Sequence, residues 1–144
     1  MDYVELASEF MQKMYMLRQA RPQKQINESM QGEHFVLQFI SFHKGYVLPS
    51  EISNEMGISS ARIAATLNGL ERKGLITRQI DISDRRRILV DLTPEGKSLA
   101  EAHHKEAIEM ITKILSLLGE HDALEYVRIT GRFAELASLQ NEMK

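Results

Sequence analysis

The chain has 144 residues, a formal net charge of −2 and no cysteine. That is the length of one domain able to bury a core unaided, and it excludes disulfides, thiolate metal sites and thiol redox sensing. The total hides a division: Ser59 to Leu92 holds seven Lys and Arg against four Asp and Glu, and +3 there against −5 elsewhere excludes a generally basic surface while focusing a polyanion on one segment.

Residues 2–19 place Val4, Leu6, Phe10, Met11, Met14 and Leu17 at mostly helical spacing, which predicts a first helix. The same stretch lacks a basic start followed by an unbroken apolar block, and no later run reaches the roughly 18 apolar residues of a membrane span. A cytoplasmic protein without a membrane is the expectation. "RPQKQINES", carrying Pro22, reads as a polar connector. A second helix is predicted from about Gln31 to near Gly45, with Phe35, Val36, Phe39, Ile40 and Phe42 inside, and "YVLP" is too short for more than a strand fragment.

Residues 49–73 give two short helices with an abrupt joint. Pro49 and Ser50 open the first at N1 and cap-like positions, Ile52 and Met56 form its buried edge, and Gly57 supplies a left-handed end. Ser59 is placed to cap the second, where Ile63, Leu67 and Leu70 share one face. With Ile58 just after the Gly and the small Ser53 four before it, this is helix-turn-helix spacing. From Leu75 to Leu92 the pattern changes to period two: Ile76, Arg78 and Ile80 alternate with Thr77 and Gln79, then Ile88, Val90 and Leu92 with Leu89 and Asp91, as in half-buried strands. Between them Asp84 precedes Arg85, Arg86 and Arg87, so the hairpin has a cationic tip, and the unit is a winged helix. Thr93 as cap and Pro94 at N1 then start a long helix, whose apolar side runs through Leu99, His103, Met110, Ile111, Ile114, Leu115 and Leu118 to Gly119. A last helix over about 121–141 carries Leu124, Val127, Ile129, Phe133, Leu136 and Leu139. The fold class is therefore mainly α (α+β), a winged helix-turn-helix lobe between terminal helices.

If Ile63, Leu67 and Leu70 face inward, steps of about 100° put Ala61, Ala65, Asn68 and Arg72 on the opposite side, flanked by Arg62, Ala64 and Gly69. Small residues let the backbone approach base edges, Asn and Arg can make two-toothed contacts with adenine and guanine, and Ser59 and Ser60 can donate to phosphate. A solvated face of a protein-binding winged helix is the rival, but such faces usually carry more Glu and Lys. A hairpin tip of this size can place a guanidinium in the narrow minor groove. Phosphate would repel Asp84, which reads instead as an acceptor orienting Arg86 or its neighbours.

The stretches "LPSEISNEMGISSARIAATLNGLERKGLITR" and "SDRRRILVDLTPEGK", in this order of elements, resemble the MarR family of bacterial transcriptional regulators over the whole chain. The resemblance implies a single domain over 1–144. Within it, residues 31–97 form the DNA-binding lobe (helix-turn-helix 49–73, wing 75–92), and 1–30 and 98–144 are dimerisation helices. It implies a homodimer on a pseudo-palindromic double-stranded DNA operator, most simply a repressor. By the same likeness Arg86 enters the minor groove, Arg85 meets phosphate and Arg87 turns back to the domain. Many relatives release DNA on binding small aromatic or phenolic ligands, for which Met14, Tyr15, Phe35 and Phe39 are candidate lining residues, although Met and aromatics more often form core and seam. Others sense metals, and Glu33 with His34 and His103 with His104 resemble positions used by zinc-sensing members. A zinc site needs three or four converging ligands, yet Ala107 stands four residues after His103, so neither metal nor cofactor is expected.

Two alternatives stay open at this point: a zinc-responsive regulator of the same fold, and a winged helix for protein contacts without DNA. An enzyme is not expected, because the chain has no phosphate-cradling Gly loop, no H-E-x-x-H and no G-x-S-x-G.

Overall fold

The computed structural model describes residues 1–20 and 28–144. Among these the order is α1 (Tyr3–Gln19), α2 (Glu28–Phe42), α3 (Pro49–Met56), α4 (Ser60–Arg72), β1 (Ile76–Ile80), β2 (Ile88–Leu92), α5 (Pro94–Leu118) and α6 (Glu120–Glu142). Pro22 and most of the expected connector lie outside the described residues. No helix described is long and apolar enough to cross a membrane.

Asp2 caps α1 by accepting from the Val4 and Glu5 amides at 2.9 and 3.2 Å. The second helix starts at Glu28, three residues before the expected Gln31, in a run of good helix formers. Its inward face is also narrower than expected: Val36, Leu37 and Ile40 are buried, whereas Phe35 and Phe42 are exposed. The two Phe lie seven residues apart on a second stripe, and Phe42 meets the His104 ring of α5 edge-on at 5.6 Å. The "YVLP" fragment pairs one residue only, Val47, with Val90.

The joint between α3 and α4 follows from three residues. Gly57 takes φ +65°, its amide donates to the Ser53 carbonyl at 2.9 Å, and the Ser53 hydroxyl donates to the Ile58 carbonyl at 2.6 Å. Ser59 then accepts from the Arg62 amide at 3.2 Å and starts α4. Ser50, expected at a cap-like position, sits inside α3, whose N-cap is Leu48 without a side-chain bond.

The strands pair antiparallel with Ile76 opposite Leu92, Arg78 opposite Val90 and Ile80 opposite Ile88. All six share one face, but burial fades outward: Ile76 and Val90 are buried, while Ile80 and Ile88 are exposed because the hairpin has left the body of the lobe by then. At the base, the Thr93 hydroxyl caps α5 by accepting from the Gly96 amide at 3.0 Å and donates to the Gly74 carbonyl at 2.6 Å. Only a glycine fits next to it, since a Cβ on Gly96 would stand 1.9 Å from the Leu75 oxygen.

The core is Val36, Leu37, Ile40, Val47, Ile52, Ile63, Leu67, Leu70, Ile76, Val90 and Ala100. It runs from α2 to the second turn of α5, where Gln38 donates to the Ala100 carbonyl at 3.0 Å. Neither α1 nor α6 has a buried residue.

Candidate nucleic-acid interface

Burial of Ile63, Leu67 and Leu70 turns Ser59, Ser60, Ala61, Arg62, Ala64, Ala65, Asn68 and Arg72 to the outside of α4. Gly69, expected to flank this face, is buried instead. Glu33 of α2 crosses over it, close enough that a Cβ there would meet its Oε1 at 2.7 Å, and pairs with Lys73 at 2.5 Å. The Ser59 oxygen is occupied as a cap, which leaves its hydroxyl hydrogen free to donate.

A shallow cleft beside the helix is lined by Ala65, Asn68, Glu71, Arg72 and Arg78. Arg78 was not among the expected site residues. It rises from β1 and donates from Nε and Nη2 to the two Glu71 oxygens, both at 3.1 Å, and from Nη2 to Asn68 Oδ1 at 2.7 Å. These hydrogen bonds hold the Glu71 carboxyl below the usual carboxylate range and raise the Arg78 guanidinium above its ordinary value. The Arg72 Nε turns to the Asn68 carbonyl at 3.4 Å. A signal for Arg78 did exist, namely an arginine among inward-facing strand positions that must find a partner.

At the wing, the Arg87 amide donates to the Asp84 carbonyl at 2.9 Å and closes a four-residue turn. The Asp84 carboxylate accepts from the Arg86 amide at 3.2 Å and from its Nε and Nη2 at 3.1 and 3.3 Å. Those bonds, the guanidinium ones first, keep the Asp84 carboxyl below its ordinary range. The Arg86 side chain is still 89% exposed, held at its root with its outer edge in solvent. Arg87 points the other way, to Asp81 at 3.7 Å, and Asp81 is itself fixed by the Ser83 hydroxyl and amide at 2.7 and 3.0 Å. Arg85 is exposed. Ile82, 94% exposed, adds an apolar side chain to the tip that sequence periodicity did not single out.

The cations of this segment therefore divide. Lys73, Arg78, Arg86 and Arg87 each have a carboxylate partner, whereas among the described residues no ion pair engages Arg62, Arg72 or Arg85. Those three carry the uncompensated positive charge, two on α4 and one on the wing.

The candidate ligand residues are not gathered in the same way. Met14 and Tyr15 are exposed on α1, Phe35 is exposed on α2, and Phe39 packs against the core with its ring 4.6 Å from His43. The His34 and His103 rings meet between α2 and α5 with centroids 4.3 Å apart and planes tilted by 42°. Burial, then the neighbouring His103, lowers the His34 pKa against a smaller opposing pull from Glu106. No group of three or more His, Asp or Glu among the described residues is arranged to hold a metal ion.

Residues 29–87 match the family described as MarR family. The HTH-type transcriptional repressor MdtR of Bacillus subtilis (strain 168) is 32% identical over 103 residues, 72% of this chain and 66%, just under two thirds, of its own length. The solved YusO protein from Bacillus subtilis superposes with a TM-score of 0.68 at 28% identity, covering 94% of this chain and 99% of that one. Streptococcus pneumoniae FabT, solved in complex with DNA, shares the fold with a TM-score of 0.70 at 24% identity, over 99% of this chain and 100% of FabT.

Proposed function

We propose that the chain is a homodimeric repressor of transcription of the MarR family of winged helix-turn-helix regulators, binding a pseudo-palindromic operator. One observation carries the reading: on a single lobe, a helix face of small residues with Arg62, Asn68 and Arg72 stands beside a wing whose Arg86 is oriented by Asp84. In DNA, α4 lies in the major groove with Asn68 and Arg62 at base edges, and the wing reaches along the backbone so that Arg86 enters the adjacent minor groove. Ser59, Ser60, Arg72 and Arg85 meet phosphate. A second copy covers the exposed apolar faces of α1, α5 and α6 and sets the half-site spacing. Such a regulator works in the cytoplasm, where the DNA is.

The same proposal extends to control. A small aromatic or phenolic ligand, held near Met14, Tyr15 and Phe35 where α1 and α2 expose large side chains, releases the operator by binding better to a dimer with its lobes differently spaced. Selection of duplexes from a random pool, followed by footprinting and anisotropy at several salt concentrations, tests the DNA reading. The expected result is a symmetric footprint and an affinity that falls steeply with salt. A chain that enriches no sequence and shows no salt dependence is a winged helix for protein contacts. Adding phenolic compounds to the preformed complex tests release.

A further inference from the structure

Resting on the DNA-binding reading above, we propose that Ile80 and Ile88 form an apolar seat for the deoxyribose of the one DNA strand that runs between α4 and the wing tip. Neighbouring major and minor grooves are separated by a single sugar–phosphate strand. A protein with a helix in the one and a hairpin tip in the other lets that strand pass between them. The part of the hairpin that it crosses lies beyond the lobe and short of the tip, where β1 ends and β2 begins.

The register decides which face of the hairpin the strand meets. Arg78 reaches Glu71 and Asn68 of α4, so its face of β1 is the one turned toward the recognition helix. Side chains alternate across a strand, and Ile80 stands on that same face about 7 Å farther out. Ile88 is its direct partner on β2. Toward the lobe this face is closed, with Ile76 and Val90 buried, but Ile80 is 65% and Ile88 42% exposed. The faces assigned above to a second copy belong to α1, α5 and α6, which leaves this pair to the DNA.

The flanking side chains select sugar over phosphate. Arg72 borders the cleft on the α4 side, and Arg85 and Arg86 stand at the tip, so the groups suited to phosphate lie on either side of the pair. Two aliphatic side chains between them offer a phosphate oxygen neither charge nor donor, yet they fit the C–H surface of a deoxyribose. Isoleucine is stiff at χ1, and little side-chain freedom is lost when the strand settles on it. Such a contact is indifferent to base sequence and displaces no counterion, which separates it from Asn68 and from Arg86 alike.

The test uses the full-length chain, a selected operator and a random duplex. Ile80→Ala and Ile88→Ala are each expected to weaken binding to both duplexes by about fourfold, the worth of one buried methylene, with an unchanged salt slope. Melting temperature and dimer mass should stay as in the wild type, because both side chains are exposed. Ile80→Val keeps the branched strand former and should fall between wild type and Ile80→Ala; it decides the matter if an alanine variant melts early. Hydroxyl radicals, which attack the deoxyribose itself, should leave the sugars between the two grooves uncut in the wild-type complex and cut them in the double alanine variant. Wild-type protein that leaves those sugars open to cleavage overturns the proposal without any variant. Unchanged affinity in the double variant overturns it too, as does a loss confined to the operator, which would put the pair on bases, or a lowered salt slope, which would put its effect on the neighbouring arginines. In each of these cases DNA binding stands. Failure of the wild type to bind any duplex overturns the DNA reading as well.

Discussion

The lobe and the terminal helices use similar side chains to opposite ends. Between α2 and the early turns of α5, Leu37, Ile63, Leu67 and Leu70 are buried within the one chain, whereas Phe10, Leu118, Phe133, Leu136 and Leu139 of α1, α5 and α6 stay exposed. Even where the terminal helices meet, with Phe10 and Phe133 rings 5.5 Å apart, neither ring is covered. The lobe buries its apolar residues within the chain, and the ends leave theirs exposed. Two such populations, one buried and one open, are what the proposed dimer needs.

The largest effect that sharpens this contrast is inside the lobe. Leu67→Ala should cost about 2–5 kcal/mol, the price of a cavity among Ile63, Leu70 and their neighbours, read from urea unfolding. A loss below about 1 kcal/mol would mean that the core is less tightly packed than its burial indicates.

Phe133→Ser makes the matching change at the ends, where within the same chain it loosens a contact with the already exposed Phe10 ring. Its cost should appear in association, about 2–4 kcal/mol for a central aromatic of an interface. Sedimentation at micromolar concentration should give twice the 16.5 kDa chain mass for the wild type and a shift toward the single chain for the variant. A wild-type monomer breaks the comparison, because α1 and α6 would then be exposed without reason.

On the DNA face the expected effects are smaller and differ in kind. Arg62→Ala or Asn68→Ala should weaken binding to the selected operator by about 1–3 kcal/mol while barely changing affinity for random duplexes. Equal losses on both would place these side chains on phosphate.

How far these regions were legible depends on whether the signal was local. Gly57, Ser59, Thr93 and Pro94 mark their helix ends by their own chemistry, and the structure uses Gly57 at φ +65° and the two hydroxyls as caps. Period two located both strands, but it cannot say where a hairpin leaves the body, so Ile80 and Ile88 were expected on a half-buried face and stand exposed. Phe35 and Phe42 fit a helical stripe as well as Val36 and Ile40 do; only the position of α3, α4 and the wing decides which stripe closes the core. The partners of Arg78 were hidden for the same reason, since Glu71 and Asn68 lie seven and ten residues away across a chain reversal.

The finest discrimination lies at the wing tip, where charge and orientation predict opposite signs. Arg86→Ala should weaken operator binding and lower the salt slope by roughly one charge per lobe, as expected for a guanidinium that displaces counterions. Asp84→Ala removes a negative charge from a surface facing a polyanion, and simple electrostatics makes the complex tighter. Yet Asp84 holds Arg86 through Nε, Nη2 and the backbone amide, and without those bonds the arginine must lose its side-chain freedom on docking. The turn loses an acceptor at the same time. We therefore expect weaker binding by Asp84→Ala, by a smaller factor than Arg86→Ala, and a double variant close to Arg86→Ala alone, because a support has nothing left to hold once its arginine is gone. Anisotropy titrations of the three proteins on one operator, with dimerisation verified, read all of this at once. Tighter binding by Asp84→Ala would leave the tip as an unspecific cationic patch.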